Sequence, residues 1–230
     1  GADIGIALDG DGDRIGIVDE NGNYQSTLEV FSILAHHLLG ARGEKGGVAC
    51  TITMSNMVEK ICERYDQQVF RTPVGFKYVA PVMEENGCLM GGEESGGYAV
   101  KGHIPERDGA LSALLYLQAM AMSQKKPSDL LKEVHKITGR YIFKRIDLEF
   151  NDKQKIKINN TLVKTKIDSL GGLKVRKIDH LDGVRFNLEQ NSWAAVRLSG
   201  TEPLARIYSE ARDNKTLNAI IEDLRQILSI

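Results

Sequence analysis

Several things are scarce in this sequence, and each scarcity removes a class of explanation. It has three cysteines, Cys50, Cys62 and Cys88, an odd number with no two at metal-ligand spacing. Neither a disulfide framework nor a zinc site is therefore expected, and reduced thiols in a cytoplasmic protein are the simplest reading. No apolar run approaches the ~20 residues needed to cross a bilayer, which excludes a membrane-spanning helix from the expectations. The formal net charge is −1 over 230 residues. Such a balance offers no general field for nucleic acid or an anionic membrane, so neither is expected as a partner. Any anionic ligand must be held by particular loops.

What is present suits a folded chain. Hydrophobic residues make up 42%, enough for real cores, and the 27% that are charged argue against disorder. The chain opens Gly1-Ala2-Asp3-Ile4-Gly5-Ile6-Ala7-Leu8, a strand pattern met by acidic residues at once, unlike a secretory leader. A chain that starts inside a strand is expected to be a fragment of a longer protein.

Periodicity and punctuation divide the chain. Strands are expected at 4–8 and 15–18, followed by an Asn21-Gly22 turn and a helix over 28–39, capped by Thr27 and stopped by Gly40. Strands at 47–52, 68–71 and 88–90 then alternate with helices at 56–65, 76–86 and 108–123, which predicts a parallel-rich mixed sheet with covering helices. A polar break at Gln124-Lys125-Lys126-Pro127-Ser128 precedes a connecting helix over 128–138. Beyond it, strands at 141–150, 173–178, 184–188, 194–198 and 204–211 surround one middle helix and end in a helix at 214–228. Consecutive strands of this kind indicate a small antiparallel α+β C-terminal domain.

Three loops are built for chemistry. Asp9-Gly10-Asp11-Gly12-Asp13-Arg14 sets carboxylates at alternate positions with glycines between them, so the backbone can curl around one hard cation. Mg²⁺ takes oxygen ligands at about 2.1 Å and suits this set. The plain alternative is a solvated acidic turn. An EF-hand would recruit Asp9, Asp11, Asp13 and Glu20, but Arg14 stands where its glycine belongs. A haloacid-dehalogenase-type phosphatase would use Asp9 as nucleophile and Asp11 as acid/base, yet no downstream acidic pair completes it.

The second loop, Gly91-Gly92-Glu93-Glu94-Ser95-Gly96-Gly97, presents a carboxylate and a hydroxyl on one arc, a pair able to grip vicinal hydroxyls. A tight bend is the bland reading. The third, Arg197-Leu198-Ser199-Gly200-Thr201-Glu202-Pro203, combines an arginine, two hydroxyls and a glycine-opened backbone into a phosphate cradle, to which Arg206 can add a second guanidinium. Alone, it would pass for a hairpin turn.

Together the three loops, with Thr72-Pro73-Val74-Gly75-Phe76-Lys77 and His103-Ile104-Pro105-Glu106-Arg107-Asp108-Gly109 between them, resemble the α-D-phosphohexomutase superfamily of phosphoglucomutases and phosphomannomutases over essentially the whole chain. The resemblance implies Mg²⁺ on Asp9, Asp11 and Asp13, with Arg14 close to the reacting phosphoryl group. It places Glu93 and Ser95 on sugar hydroxyls, and Arg197, Ser199, Gly200, Thr201 and Arg206 on the substrate's non-reacting phosphate. Lys77 and His103 look like cleft residues, with plainer readings as a solvated helix residue and a loop histidine. Arg107 stands where some relatives place a catalytic lysine.

The implied activity interconverts hexose 1-phosphates and 6-phosphates, glucose or mannose first, through a phosphoserine and a bisphosphate. The family's serine loop, Thr-x-Ser-His-Asn-Pro or similar, occurs nowhere in the sequence, and Thr53-Met54-Ser55-Asn56 is no substitute. The resemblance thus reads residues 1–20 as a remnant of domain 2, 21–138 as domain 3 and 139–230 as domain 4. The missing N-terminal domains of the parent are expected as partners, and this chain alone is expected to be inactive. A non-catalytic sugar-phosphate binding module is the remaining alternative.

Overall fold

A computed structural model describes residues 1–150, 167–198 and 203–228. The chain divides into two compact units, Gly1–Gly139 and Arg140–Ile230.

In the first unit, β1 (Gly5–Leu8), β2 (Ile15–Val18) and β3 (Tyr24–Gln25) form an antiparallel sheet. Asp19 folds the turn between the last two strands, its carboxylate accepting the Asn21 and Asn23 amides at 2.9 and 2.8 Å. Helix α1 (Thr27–His36) is then capped by Ser26, not by the expected Thr27. The reason lies three residues on: Glu29 returns its carboxylate to the Ser26 amide at 2.8 Å, while the Ser26 hydroxyl accepts the Glu29 amide at 3.3 Å. This reciprocal pair satisfies two helix-end donors. Ser26→Ala is expected to cost about 1 kcal/mol in urea unfolding; no measurable change would mean the reciprocal bonds contribute nothing. Nor does α1 stop at Gly40. Buried Leu38 and Leu39 hold the chain in a π turn, His37–Ala41, before it leaves.

A four-stranded sheet follows in the order β5 (Val69–Thr72), β4 (Val48–Thr51), β6 (Met90–Gly92), β7 (Tyr98–Val100). β4 is parallel to β5 and to β6, and β7 returns antiparallel. Every residue of β4 is buried, as expected of a central strand covered on both faces. Helix α3 (Phe76–Glu85) packs Phe76, Val79 and Met83 on one face. A side chain on Gly92 would meet Phe31 of α1, which places α1 on the other. Helices α2 (Met57–Arg64), α4 (Gly109–Ser123) and α5 (Pro127–Thr138) complete the unit.

The second unit is a six-stranded antiparallel sheet in the order β8 (Ile142–Glu149), β13 (Leu204–Ala211), β12 (Trp193–Leu198), β11 (Val184–Leu188), β10 (Leu173–Asp179), β9 (Ser169–Leu170). Helix α6 (Asn214–Leu228) lays Leu217, Ile220, Ile221, Leu224 and Leu228 on one face, a helical stripe against alternating strand residues such as Ala194, Val196, Ala205 and Ile207. The opposite face carries Trp193, Ala195 and Tyr208 beside Phe143. The expected middle helix falls largely on residues 151–166, outside the described ones. Among the described residues no helix is long and apolar enough to cross a membrane.

Candidate functional site

The Asp9–Arg14 loop joins two antiparallel strands whose register closes at Leu8 and Ile15. The Gly12 amide bonds the Asp9 carbonyl at 3.2 Å, and Gly12 sits at φ +75°, where an L side chain is strained. The curl brings one carboxylate oxygen each from Asp9, Asp11 and Asp13 within 4.8 Å of one another. Two guanidiniums bracket them. Arg14 donates its amide to Asp9 Oδ1 at 3.1 Å and its Nε to Asp9 Oδ2. From 94 residues further along the chain, Arg107 Nη2 lies 2.8 Å from Asp13 Oδ2.

Desolvation pushes the Asp9 carboxyl up, but the hydrogen bonds and charge of Arg14 outweigh it and hold its pKa at about 2. Asp13 moves the other way. Desolvation raises it, Arg107 opposes, and the charges of Asp11 and Asp9 raise it further. A site made of oxygen donors alone, with repulsion among its own carboxylates, fits a hard divalent cation. It does not fit an EF-hand. Strands flank the loop, and the Glu20 carboxylate is committed to Ser128, whose hydroxyl lies 2.6 Å away.

The glycine-rich loop is laced to the acidic one. The Ile15 amide donates to the Gly96 carbonyl at 3.1 Å, and Arg14 bridges to Gly97. Glu93 is buried, at 6% exposure. Its carboxylate accepts the Gly75 amide at 2.9 Å, from the N-terminus of α3, and lies 3.7 Å from Arg107 Nη1. Burial raises its pKa, with the Gly75 amide and Arg107 acting against the rise. Arg107 therefore joins the acidic loop to the glycine-rich loop, with its guanidinium 5.6 Å from the Phe76 ring.

Ser95 is exposed on the same arc. Glu94 points elsewhere, accepting the Thr53 hydroxyl at 2.9 Å. Nothing in the sequence points to this bond, since Thr53 figures there only as part of a rejected serine loop. Thr53 stands just past β4, whereas Glu94 stands just past β6, and the chain leaves β4 toward β5 before returning to β6 on the other side. In open α/β sheets such a reversal is where ligands bind, outside the strand ends. The β/α alternation was visible in the sequence, but this strand order was not.

Lys77 and His103 are exposed. The Lys77 ammonium lies 5.0 Å from the Tyr78 ring, and His103 Nε2 is 3.0 Å from Asp108 Oδ2. Among the described residues, no hydrogen bond or ion pair joins either one to Asp9, Asp11, Asp13 or Glu93.

In the second unit, Arg197 and Arg206 are register partners on β12 and β13. Arg197 Nε donates to Asp182 Oδ2 at 2.8 Å, and Arg206 Nε lies 3.7 Å from Asp147 Oδ2. Ser199, Gly200 and Thr201 lie outside the described residues.

Comparison with known proteins gives a consistent set of matches. The model of the phosphoglucomutase/phosphomannomutase alpha/beta/alpha domain III matches residues 28–137, and the model of the corresponding C-terminal domain matches 146–227. A phosphoglucomutase/phosphomannomutase of Thermococcus kodakarensis is 34% identical over 96% of this chain and 46% of its own length. A phosphoglucosamine mutase of Desulfotalea psychrophila is 32% identical over 99% of this chain and 47% of its own. A crystal structure from Thermus thermophilus, assigned as a phosphomannomutase, gives a TM-score of 0.81 at 31% identity, over 99% of this chain and 46% of that one. This chain spans about half the length of the curated relatives it matches.

Proposed function

The chain belongs to the phosphoglucomutase/phosphomannomutase family, and on that premise we propose that it supplies the cation, sugar and phosphate loops of a hexose-phosphate mutase. The observation that carries this reading is the position of Arg107, in contact with Asp13 and within 3.7 Å of Glu93. One guanidinium thereby ties the loop assigned to the cation to the loop assigned to the sugar. Membership of this family also replaces the phosphatase reading of Asp9.

In the proposed reaction a phosphoserine, outside this sequence, gives its phosphoryl group to one hydroxyl of a hexose phosphate. The serine O–P bond breaks, the sugar O–P bond forms, and the proton of the sugar hydroxyl is passed in net to the freed serine oxygen. The bisphosphate then turns end for end and returns its other phosphoryl group to the serine. Asp9, Asp11 and Asp13 would hold Mg²⁺, which when bound neutralises charge on the transferring group.

Arg14 and Arg107 add positive charge at the same place. Arg107, which bridges Asp13 and Glu93, serves as an electrostatic clamp between the two loops. Glu93 accepts hydrogen bonds from sugar hydroxyls with Ser95 beside it, and Arg197 and Arg206 take the phosphate that is not reacting. Glucose and mannose phosphates are the proposed substrates, with glucosamine phosphate the competitor raised by the second relative's name. The cytoplasm is the proposed setting, on the ground that Cys50, Cys62 and Cys88 are all free thiols.

The test is turnover of glucose 1-phosphate with Mg²⁺ and a trace of glucose 1,6-bisphosphate. The chain is assayed alone and again fused to a segment bearing the family's serine loop. Turnover is expected only in the fusion. Turnover by the chain alone, or phosphate release without isomerisation, would overturn the proposal.

A further inference from the structure

We propose that Asp182 is a positioning residue for phosphate recognition: it fixes the Arg197 guanidinium and balances the like charge of Arg206 beside it. The inference rests on the reading of Arg197 and Arg206 as holding the substrate's non-reacting phosphate.

The argument starts from register. Arg197 and Arg206 stand directly opposite each other on antiparallel strands, where side chains are close and like charges repel. An acid flanks each of them. Asp147 is the register partner of Arg206 on β8, and Asp182 comes from the turn between β10 and β11. The result is a row across the sheet, Asp182, Arg197, Arg206, Asp147, with the two guanidiniums in the middle.

The two acids are not equivalent. Asp147 already receives two bonds from Arg145, at 2.8 and 2.7 Å, and reaches Arg206 only at 3.7 Å. Asp182 meets Arg197 at 2.8 Å, with side-chain exposures of 24% and 13%. Exposed ion pairs hold little orientation because water competes for them, whereas a pair this sheltered keeps its geometry.

The turn is shaped to deliver that carboxylate. Leu181 donates its amide to Asp179 Oδ1 at 2.9 Å, which starts the turn. Gly183 sits at φ +73° so close to β12 that a side chain there would lie 3.1 Å from Arg197 Cα and would run into the Val196 carbonyl. The chain between these points therefore presses against Arg197 itself. A carboxylate on the Nε edge of a guanidinium leaves its Nη edge for a second oxyanion. A phosphate dianion set against both arginines would add its charge to that of the two flanking acids.

The experiment titrates this chain with glucose 1-phosphate, and separately with inorganic phosphate, by ³¹P NMR. It compares Asp182→Asn, Asp182→Glu and Arg197→Met and follows the thermal unfolding of each. Asp182→Asn is expected to weaken both ligands by about tenfold, the value of one well-oriented charged hydrogen bond. Asp182→Glu should recover much of the loss, since it keeps the charge. If Arg197→Met weakens binding and Asp182→Asn does not, the positioning role is wrong while the phosphate reading stands. If Arg197→Met binds as well as the parent chain, or the parent binds neither ligand, the phosphate reading falls and the inference with it. Equal losses in Asp182→Asn and Asp182→Glu, alongside a lowered melting temperature, would assign Asp182 a structural role only.

Discussion

Asp11→Asn is expected to weaken Mg²⁺ binding at the Asp9–Asp13 loop by at least about tenfold, because a hard cation loses one of three anionic oxygen ligands. Its special use as a test comes from the neighbouring ion pairs. Asp9 is held by Arg14, and Asp13 by Arg107 with Arg14 at 3.6 Å. Asp11 is the exposed carboxylate of the three, and none of those three ion pairs includes it. Removing its charge therefore takes a ligand from the cation without breaking either guanidinium bridge. The melting temperature should stay within about 2 °C of the parent, as for most surface substitutions. In a fusion that carries the serine loop, turnover should fall by about 100-fold or more, since charge on the transferring phosphoryl group would go unneutralised. Calorimetric titration with Mg²⁺ and steady-state turnover are the two readings. Unchanged affinity would remove the acidic loop from the cation site; lower affinity with undiminished turnover would separate the cation from the chemistry.

How far the sequence announces this arrangement depends on how local the cause is. The acidic loop was legible because its logic is complete within six residues: alternate carboxylates, and glycines where the backbone must curl. The start of α1 was nearly legible. Ser26 and Thr27 both offer a hydroxyl, and only Glu29, three residues beyond Ser26, decides between them. In β6 the local signal pointed the wrong way. Gly91 and Gly92 read as the end of a strand on propensity, yet they lie inside it. Side chains there would run into Met83 of α3 on one face and Phe31 of α1 on the other. The glycines record two helices packed close to the sheet, and no window around them contains either helix. β7 was missed for a related reason. Tyr98, Ala99 and Val100 are too few to show alternation, and their strand exists only because β6 is there to pair with it.

The site divides in the same way. Which residue types would gather was visible in the motifs, but their wiring was not. The contact of Arg107 with Asp13 and Glu93 depends on how the loop before α4 folds back over the sheet. Asp182 carries no motif at all in the sequence, and its relation to Arg197 emerges only when the β10–β11 turn is laid against β12. Lys77 and His103 mark the opposite case. Both were singled out by resemblance, and both are exposed without a bond to Asp9, Asp11, Asp13 or Glu93 among the described residues.

Gly109→Ala is expected to destabilise the first unit and to loosen cation binding together, although position 109 is almost a hundred residues from the acidic loop. Helix propensity alone argues the reverse, since alanine in place of glycine favours a helix by up to about 1 kcal/mol. The local surroundings decide against it. Gly109 opens α4, and its amide donates to the Gly12 carbonyl at 3.0 Å. A Cβ there would lie 2.7 Å from that same carbonyl oxygen, 2.8 Å from the Arg14 carbonyl and 2.9 Å from Leu8 Cδ2. A side chain can rotate away from a clash; two backbone carbonyls of a closed loop cannot. Either α4 withdraws and loses its bond to Gly12, or the loop shifts and carries Asp9 and Asp13 with it. Overpacking of this kind costs about 1–3 kcal/mol, which exceeds the propensity gain. Arg107 and Asp108 immediately precede the helix, so a withdrawal would also slacken the Arg107–Asp13 contact. Urea unfolding should show a lower midpoint with an unchanged slope, and Mg²⁺ affinity should drop several-fold in the same variant. A stabilised protein with intact Mg²⁺ binding would mean that the start of α4 does not set the shape of the acidic loop. Loss of stability with unaltered affinity would place the strain on the helix alone.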